Sequence, residues 1–191
     1  MSKKYSTSKL FVYALLAGIP VSYAQIVINK PIEPKSPTVQ QEQNTGFSLA
    51  FAYESYRNKD YQNAYDEFEH FVLQNNPKAL MANAYLLFSG NLPRDFARAN
   101  QYLAQVASLK YARAIYLQGL LEKYQKGLSQ FNAKAERLVN DAAVMGDYVA
   151  ANALANHHFQ RGKYALAQRW NEKAISLGSS AARQNQRVIS N

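Results

Sequence analysis

The chain contains no cysteine. That excludes disulfide staples, thiolate metal sites, cysteine nucleophiles and the lipidated cysteine of a lipoprotein, so stability has to come from packing. Glycine (8) and proline (6) are sparse among 191 residues, which argues against a many-turned β-sandwich and for long helices. Histidine is scarce too, with only His70, His157 and His158. A zinc-binding helix carries histidines four apart with a glutamate between them, and that spacing is missing. Neighbouring helical residues point about 100° apart, so His157 and His158 are not expected to share a metal, and neither a metal nor any other cofactor is expected. No Gly-x-Ser-x-Gly elbow and no glycine-rich phosphate loop after a strand occurs. The basic residues are scattered, which gives no nucleic-acid stripe.

Long apolar runs are missing as well. The longest near-continuous stretch, Leu10 to Ala24, has 15 residues and is broken by Pro20, whereas spanning a bilayer takes roughly 20. It follows Lys3, Lys4 and Lys9 and ends in Ser22-Tyr23-Ala24, with small residues at the cleavage positions. Residues 1–24 therefore read as a cleaved export signal. The mature chain is expected to be periplasmic or secreted and not embedded in the membrane. Without the signal, 19 basic and 13 acidic side chains leave a net charge of +6, a mildly basic surface that favours solubility. Residues 25–44 hold Pro31, Pro34 and Pro37 among glutamines. Such spacing favours an extended, flexible tether.

What is present in quantity is hydrophobic side chain, 48% of the sequence, enough to bury a core. From Thr45 onward apolar residues recur at three- and four-residue steps, the period of a helix. Breaks are expected at Asn58-Lys59-Asp60, Asn75-Asn76-Pro77, Ser89 to Pro93, Lys126 to Gln130, Gly146-Asp147, Arg161-Gly162 and Gly178-Ser179-Ser180. Helices of about 12 to 17 residues joined by short turns describe antiparallel hairpins. The pattern also repeats. Ala64, Ala99, Ala135 and Ala167 stand 35, 36 and 32 residues apart, each followed within a turn by Phe68, Tyr102, Leu138 or Trp170. A small residue beside a large one lets helices approach closely. Residues 45–191 are thus expected to form an all-α solenoid of about four hairpins, ending in a polar capping helix from Ser179 to about Val188.

These residues resemble the Sel-one-like repeat, a relative of the tetratricopeptide repeat, over about residues 46–182. In the last hairpin the matches are Ala167, Trp170, Lys173, Ala174 and Gly178. In the third they are Gly119, Gly127, Leu128, Lys134, Ala135, Ala142, Ala143 and Gly146, and in the second Leu92, Asp95, Arg98, Ala99, Tyr102 and Ala107. The first hairpin looks more like an ordinary tetratricopeptide unit, with Ala52, Ala64, Phe68 and Pro77. The resemblance implies right-handed stacking, a protein-binding role and no chemistry. Exported members include envelope-assembly factors and immunity proteins that neutralise secreted toxins.

It also implies that the first helix of each hairpin lines a concave groove. Aligning Ala52, Ala84, Gly119 and Ala155 gives the candidate lining Tyr53, Tyr56, Arg57, Tyr85, Phe88, Arg113, Tyr116, Lys123, Tyr124, Asn152 and Asn156. Tyrosine joins a flat apolar body to a hydrogen-bonding tip at low entropic cost, a combination suited to holding a protein or peptide. The rival reading is a cell-wall hydrolase using carboxylates from Asp60, Asp66, Glu67 and Glu69. Their place on one second helix points instead to helix-end stabilisation and a solvated face.

Overall fold

A computed structural model of the chain describes residues 48–189; the expected signal (1–24) and tether (25–44) lie outside them. The described residues form nine helices and no strand. These are α1 (Leu49–Arg57), α2 (Tyr61–Val72), α3 (Pro77–Ser89), α4 (Phe96–Ala107), α5 (Ala112–Gln125), α6 (Ala133–Val144), α7 (Tyr148–Gln160), α8 (Tyr164–Ser176) and α9 (Ser180–Ile189). Each helix packs mainly on its neighbours in the chain, and α3 also meets α5. This is the packing of a helical repeat: α1–α2, α3–α4, α5–α6 and α7–α8 are hairpins, and α9 covers the end of the stack against α8.

Local chemistry sets the boundaries. Asp60, Asn76, Asp95, Asn132 and Asp147 each accept a backbone N–H of the first turn of the helix that follows. Such caps satisfy donors that have no partner inside the helix. Pro77 occupies the first turn of α3, where its missing N–H costs nothing.

Every junction between helices contains one residue with positive φ: Lys59, Asn75, Gly90, Lys110, Gly127, Gly146, Gly162 and Gly178. The left-handed residue lets the amide that follows reach back to the helix. Asp147 N donates to the Ala142 carbonyl, and Ser179 N to the Ala174 carbonyl. The cap of the next helix therefore also closes the last one, so the turn is short.

Two sequence expectations are corrected here. A break separates α4 from α5 at Ser108–Tyr111, where neither glycine nor proline marks it. Lys110 takes the left-handed conformation there, at φ 59°. Seven of the nine helices, at 12 to 14 residues, fall in the expected range, while α1 (9 residues) and α9 (10 residues) are shorter. A lysine at positive φ is strained relative to glycine. Lys110→Gly is expected to stabilise the fold by about 0.5–1 kcal/mol, raising Tm by about 1–4 °C, as read by thermal melting of the circular-dichroism signal.

The repeat becomes sharper in three dimensions. Ala64, Ala99 and Ala135 are fully buried and Ala167 nearly so. Four residues on, Phe68, Leu103 and Val139 are also fully buried, and Asn171 takes that place in the last hairpin. Three further on come Phe71, Val106, Ala142 and Ala174, again buried. Eleven residues after each alanine stands the left-handed residue: Asn75, Lys110, Gly146 or Gly178. The deepest large side chain is thus one full turn from the alanine, while Leu138 and Trp170, three residues on, are only half-buried.

Candidate functional site

The residues aligned as a groove lining divide into two groups. Phe88 and Tyr116 are fully buried and have no surface to offer, while Tyr56, Tyr85, Arg113 and Asn152 are 5–7% exposed. Tyr53, Lys123, Tyr124 and Asn156 are half-buried, and Arg57 is exposed. The split follows from helix geometry. A helix held between its own partner and the next hairpin keeps only a narrow strip free.

Several of these residues nevertheless meet, at the ends of α1, α3 and α5. Phe88 lies between Tyr85 and Tyr124, with ring centroids 5.3 and 5.5 Å away. Tyr56 stacks edgewise on Tyr61 at 5.5 Å. Burial raises the pKa of the Tyr56 phenol, and the neighbouring Tyr85, Tyr61 and Tyr124 add to the rise. Burial also pushes the Tyr53 hydroxyl up to about 12. These phenols stay neutral and act as hydrogen-bonding tips on apolar rings.

Arg113 plays a different part from groove lining. It reaches from the first turn of α5 to Asp147, the cap of α7, and lies over the Tyr148 ring. Burial disfavours the guanidinium charge, but Asp147 outweighs that and holds Arg113 ionised. Asp147, 1% exposed, also accepts from Val149 N at 2.8 Å and Ala150 N at 2.9 Å. The two residues form an ion pair binding the third hairpin to the fourth.

Glu69 departs from the solvated face expected of the acidic cluster. It accepts from Asn83 Nδ2 at 2.8 Å, Tyr102 Oη at 2.9 Å and Arg98 at 2.8 Å, tying α2 to α3 and α4. Asp66 instead accepts from exposed Gln62 on its own helix. In the third hairpin Glu122 receives Lys126, Lys134 and Asn132, which draw its pKa down to about 2 and fasten the α5–α6 turn.

The two neighbouring histidines stand closer to a common carboxylate than their separation of about 100° suggests. At the last turn of α7 their rings lie 5.4 Å apart, and Glu136 reaches both from the first turn of α6. Glu136 lies 3.4 Å from His157 Nε2 and 3.9 Å from His158 Nε2. One ligand atom from each of the three residues falls within 4.8 Å of the others. Side-chain torsions bring together what the 100° step separates, and a carboxylate from another helix approaches both rings. Phe131 stacks on His157 at 5.3 Å, and Lys123 lies over the same phenyl ring at 5.7 Å. Burial lowers the pKa of both imidazoles, against the pull of Glu136.

One signal for this cluster was available in the sequence. Two and three residues after the aligned small positions stand Leu86-Leu87, Leu121-Glu122 and His157-His158. The histidines occupy a register that is apolar in the second hairpin and buried in all three.

A further surface was missed by the search along the first helices. Leu73 (82%), Leu109 (62%) and Val144 (66%) are exposed, and each lies at the end of a second helix, Leu73 and Val144 two residues before the left-handed residue and Leu109 one before it. Met145, beside Val144, is exposed as well. No helix among the described residues is long and apolar enough to cross a membrane. No family model matches the chain, and a search of curated proteins finds no match either.

Proposed function

We propose that the chain is a protein-binding scaffold of the Sel-one-like or tetratricopeptide class, with right-handed stacking, acting after export in the periplasm and without catalysis of its own. One observation carries this reading. Exposed apolar side chains recur at the same turn of three successive hairpins, at Leu73, Leu109 and Val144. Scattered exposed leucines are ordinary, but apolar side chains left exposed at the C-terminal turn of three successive second helices support a contact surface, with Leu109 one residue out of register with Leu73 and Val144. It suits an extended apolar face of another protein. The open part of the aligned groove, Tyr53, Lys123, Tyr124 and Asn156, is a second surface with the polar tips a peptide needs.

Affinity capture from envelope extract tests the reading. The combined change Leu73→Ser, Leu109→Ser and Val144→Ser touches only exposed side chains, so the fold is retained while capture falls at least about tenfold. Loss with Tyr53→Ala and Tyr124→Ala instead places the partner in the groove. Capture equal to wild type in both sets overturns the scaffold reading. Among scaffold roles, toxin immunity predicts that deletion is lethal only beside an active toxin, whereas envelope assembly predicts a defect without one.

A further inference from the structure

We propose that Glu136, His157 and His158 bind a divalent transition-metal ion of the zinc class, held between the third and fourth hairpins. The donor set is two imidazole nitrogens and one carboxylate oxygen, which suits zinc and its neighbours rather than calcium or magnesium.

Three observations support the site. The first is spacing. Zinc bonds of about 2.0–2.1 Å at tetrahedral angles put ligand atoms about 3.3 Å apart. His157 Nε2 stands 3.4 Å from Glu136 Oε2, and His158 Nε2 stands 3.9 Å from the other oxygen of the same carboxylate, Oε1. One ligand atom from each residue lies within 4.8 Å of the others, so rotation about the side-chain torsions has to draw the widest pair together.

The second is burial without compensation. His158 is 6% exposed, its Nδ1 has no hydrogen-bond partner, and its nearest acidic oxygen is beyond hydrogen-bonding distance. Burying an imidazole costs desolvation, and a metal bond at Nε2 offsets part of that cost while Nδ1 keeps no partner. The third is support. The ligands project from two packed helices, the arrangement that holds ligand atoms most rigidly. Three protein donors leave a fourth position for water.

Arg161 is the competing cation. Its guanidinium lies 3.4 Å from His157 Nε2 and 3.8 Å from Glu136 Oε2. Its side chain is 41% exposed, at the turn after α7, so it can swing outward as the ion enters. Its charge opposes the metal, and that gives the site a signature no adventitious surface histidine shares.

The test is titration of untagged, chelator-treated full chain with Zn2+ by calorimetry, and with Co2+ by visible absorption. One ion per chain is expected. Glu136→Gln and His158→Ala should each weaken binding at least about tenfold, whereas Arg161→Ala should strengthen it. Glu136 is one-third exposed, so Glu136→Gln keeps the fold and remains decisive should His158→Ala fail to fold. No Zn2+ binding by wild type, affinity unchanged by Glu136→Gln, or weaker binding by Arg161→Ala overturns the proposal.

Discussion

Asp147→Ala is expected to destabilise the fold by about 3–5 kcal/mol, because it leaves the Arg113 guanidinium buried without its partner. Arg113 is only 5% exposed, so the charge has no easy route to water. The same change removes both N–H bonds that cap α7, adding about 1 kcal/mol. Urea unfolding followed by circular dichroism measures the sum. Asp147→Asn divides it, since asparagine caps as well as aspartate but carries no charge. The loss should also be asymmetric. Arg113→Met leaves the carboxylate on two backbone donors at a helix N-terminus, where negative charge is favoured, so it should cost less than Asp147→Ala. A loss below about 1 kcal/mol for Asp147→Ala would mean that Arg113 escapes to solvent, and the ion pair would not join the hairpins.

How much of this was legible beforehand depends on the length scale of each signal. The alanine recurrence was readable because a small side chain at a helix contact is a local requirement repeated four times. Seven of the eight junctions were readable for the same reason: glycine, proline, asparagine or aspartate stands at each. The junction at Ser108–Tyr111 was not, because Lys110 adopts a left-handed backbone that its side chain does not advertise. There the surrounding packing overrides local preference. The function of Arg113 was hidden too. Its place on the face of a first helix suggested contact with a partner, yet its own partner stands 34 residues away, at the cap of another helix. Pairings across hairpins depend on how the repeats stack, and periodicity along one helix does not contain that information. Glu69 and Glu136 were misjudged or missed for the same reason, since each acts on a neighbouring hairpin.

The approach of the two helices within the third hairpin is set at Gly119, and the second large effect follows from it. The equivalent positions in the other hairpins are alanines: Ala52, Ala84 and Ala155. A Cβ at Gly119 would lie 2.7 Å from Val139 Cγ2 and 3.1 Å from the Ala135 carbonyl oxygen. The first contact could relax, but the second is backbone and cannot yield without moving α6. Gly119→Ala gains about 1 kcal/mol of helix propensity and loses about 1–3 kcal/mol to overpacking, so a modest net loss is expected. Gly119→Val keeps the clash and adds branching, and is expected to cost about 3 kcal/mol or more. Val139→Ala should rescue part of the Gly119→Ala loss beyond additivity, by about 1 kcal/mol, because it removes the first contact and leaves the second. Full rescue would locate the strain in the side chain, not in the approach of the two helices. Ala135 precedes Glu136, so the displacement that relieves the clash also shifts Glu136 relative to His157 and His158. A folded Gly119→Ala chain should therefore differ from wild type in Zn2+ affinity, although residue 119 contributes no donor.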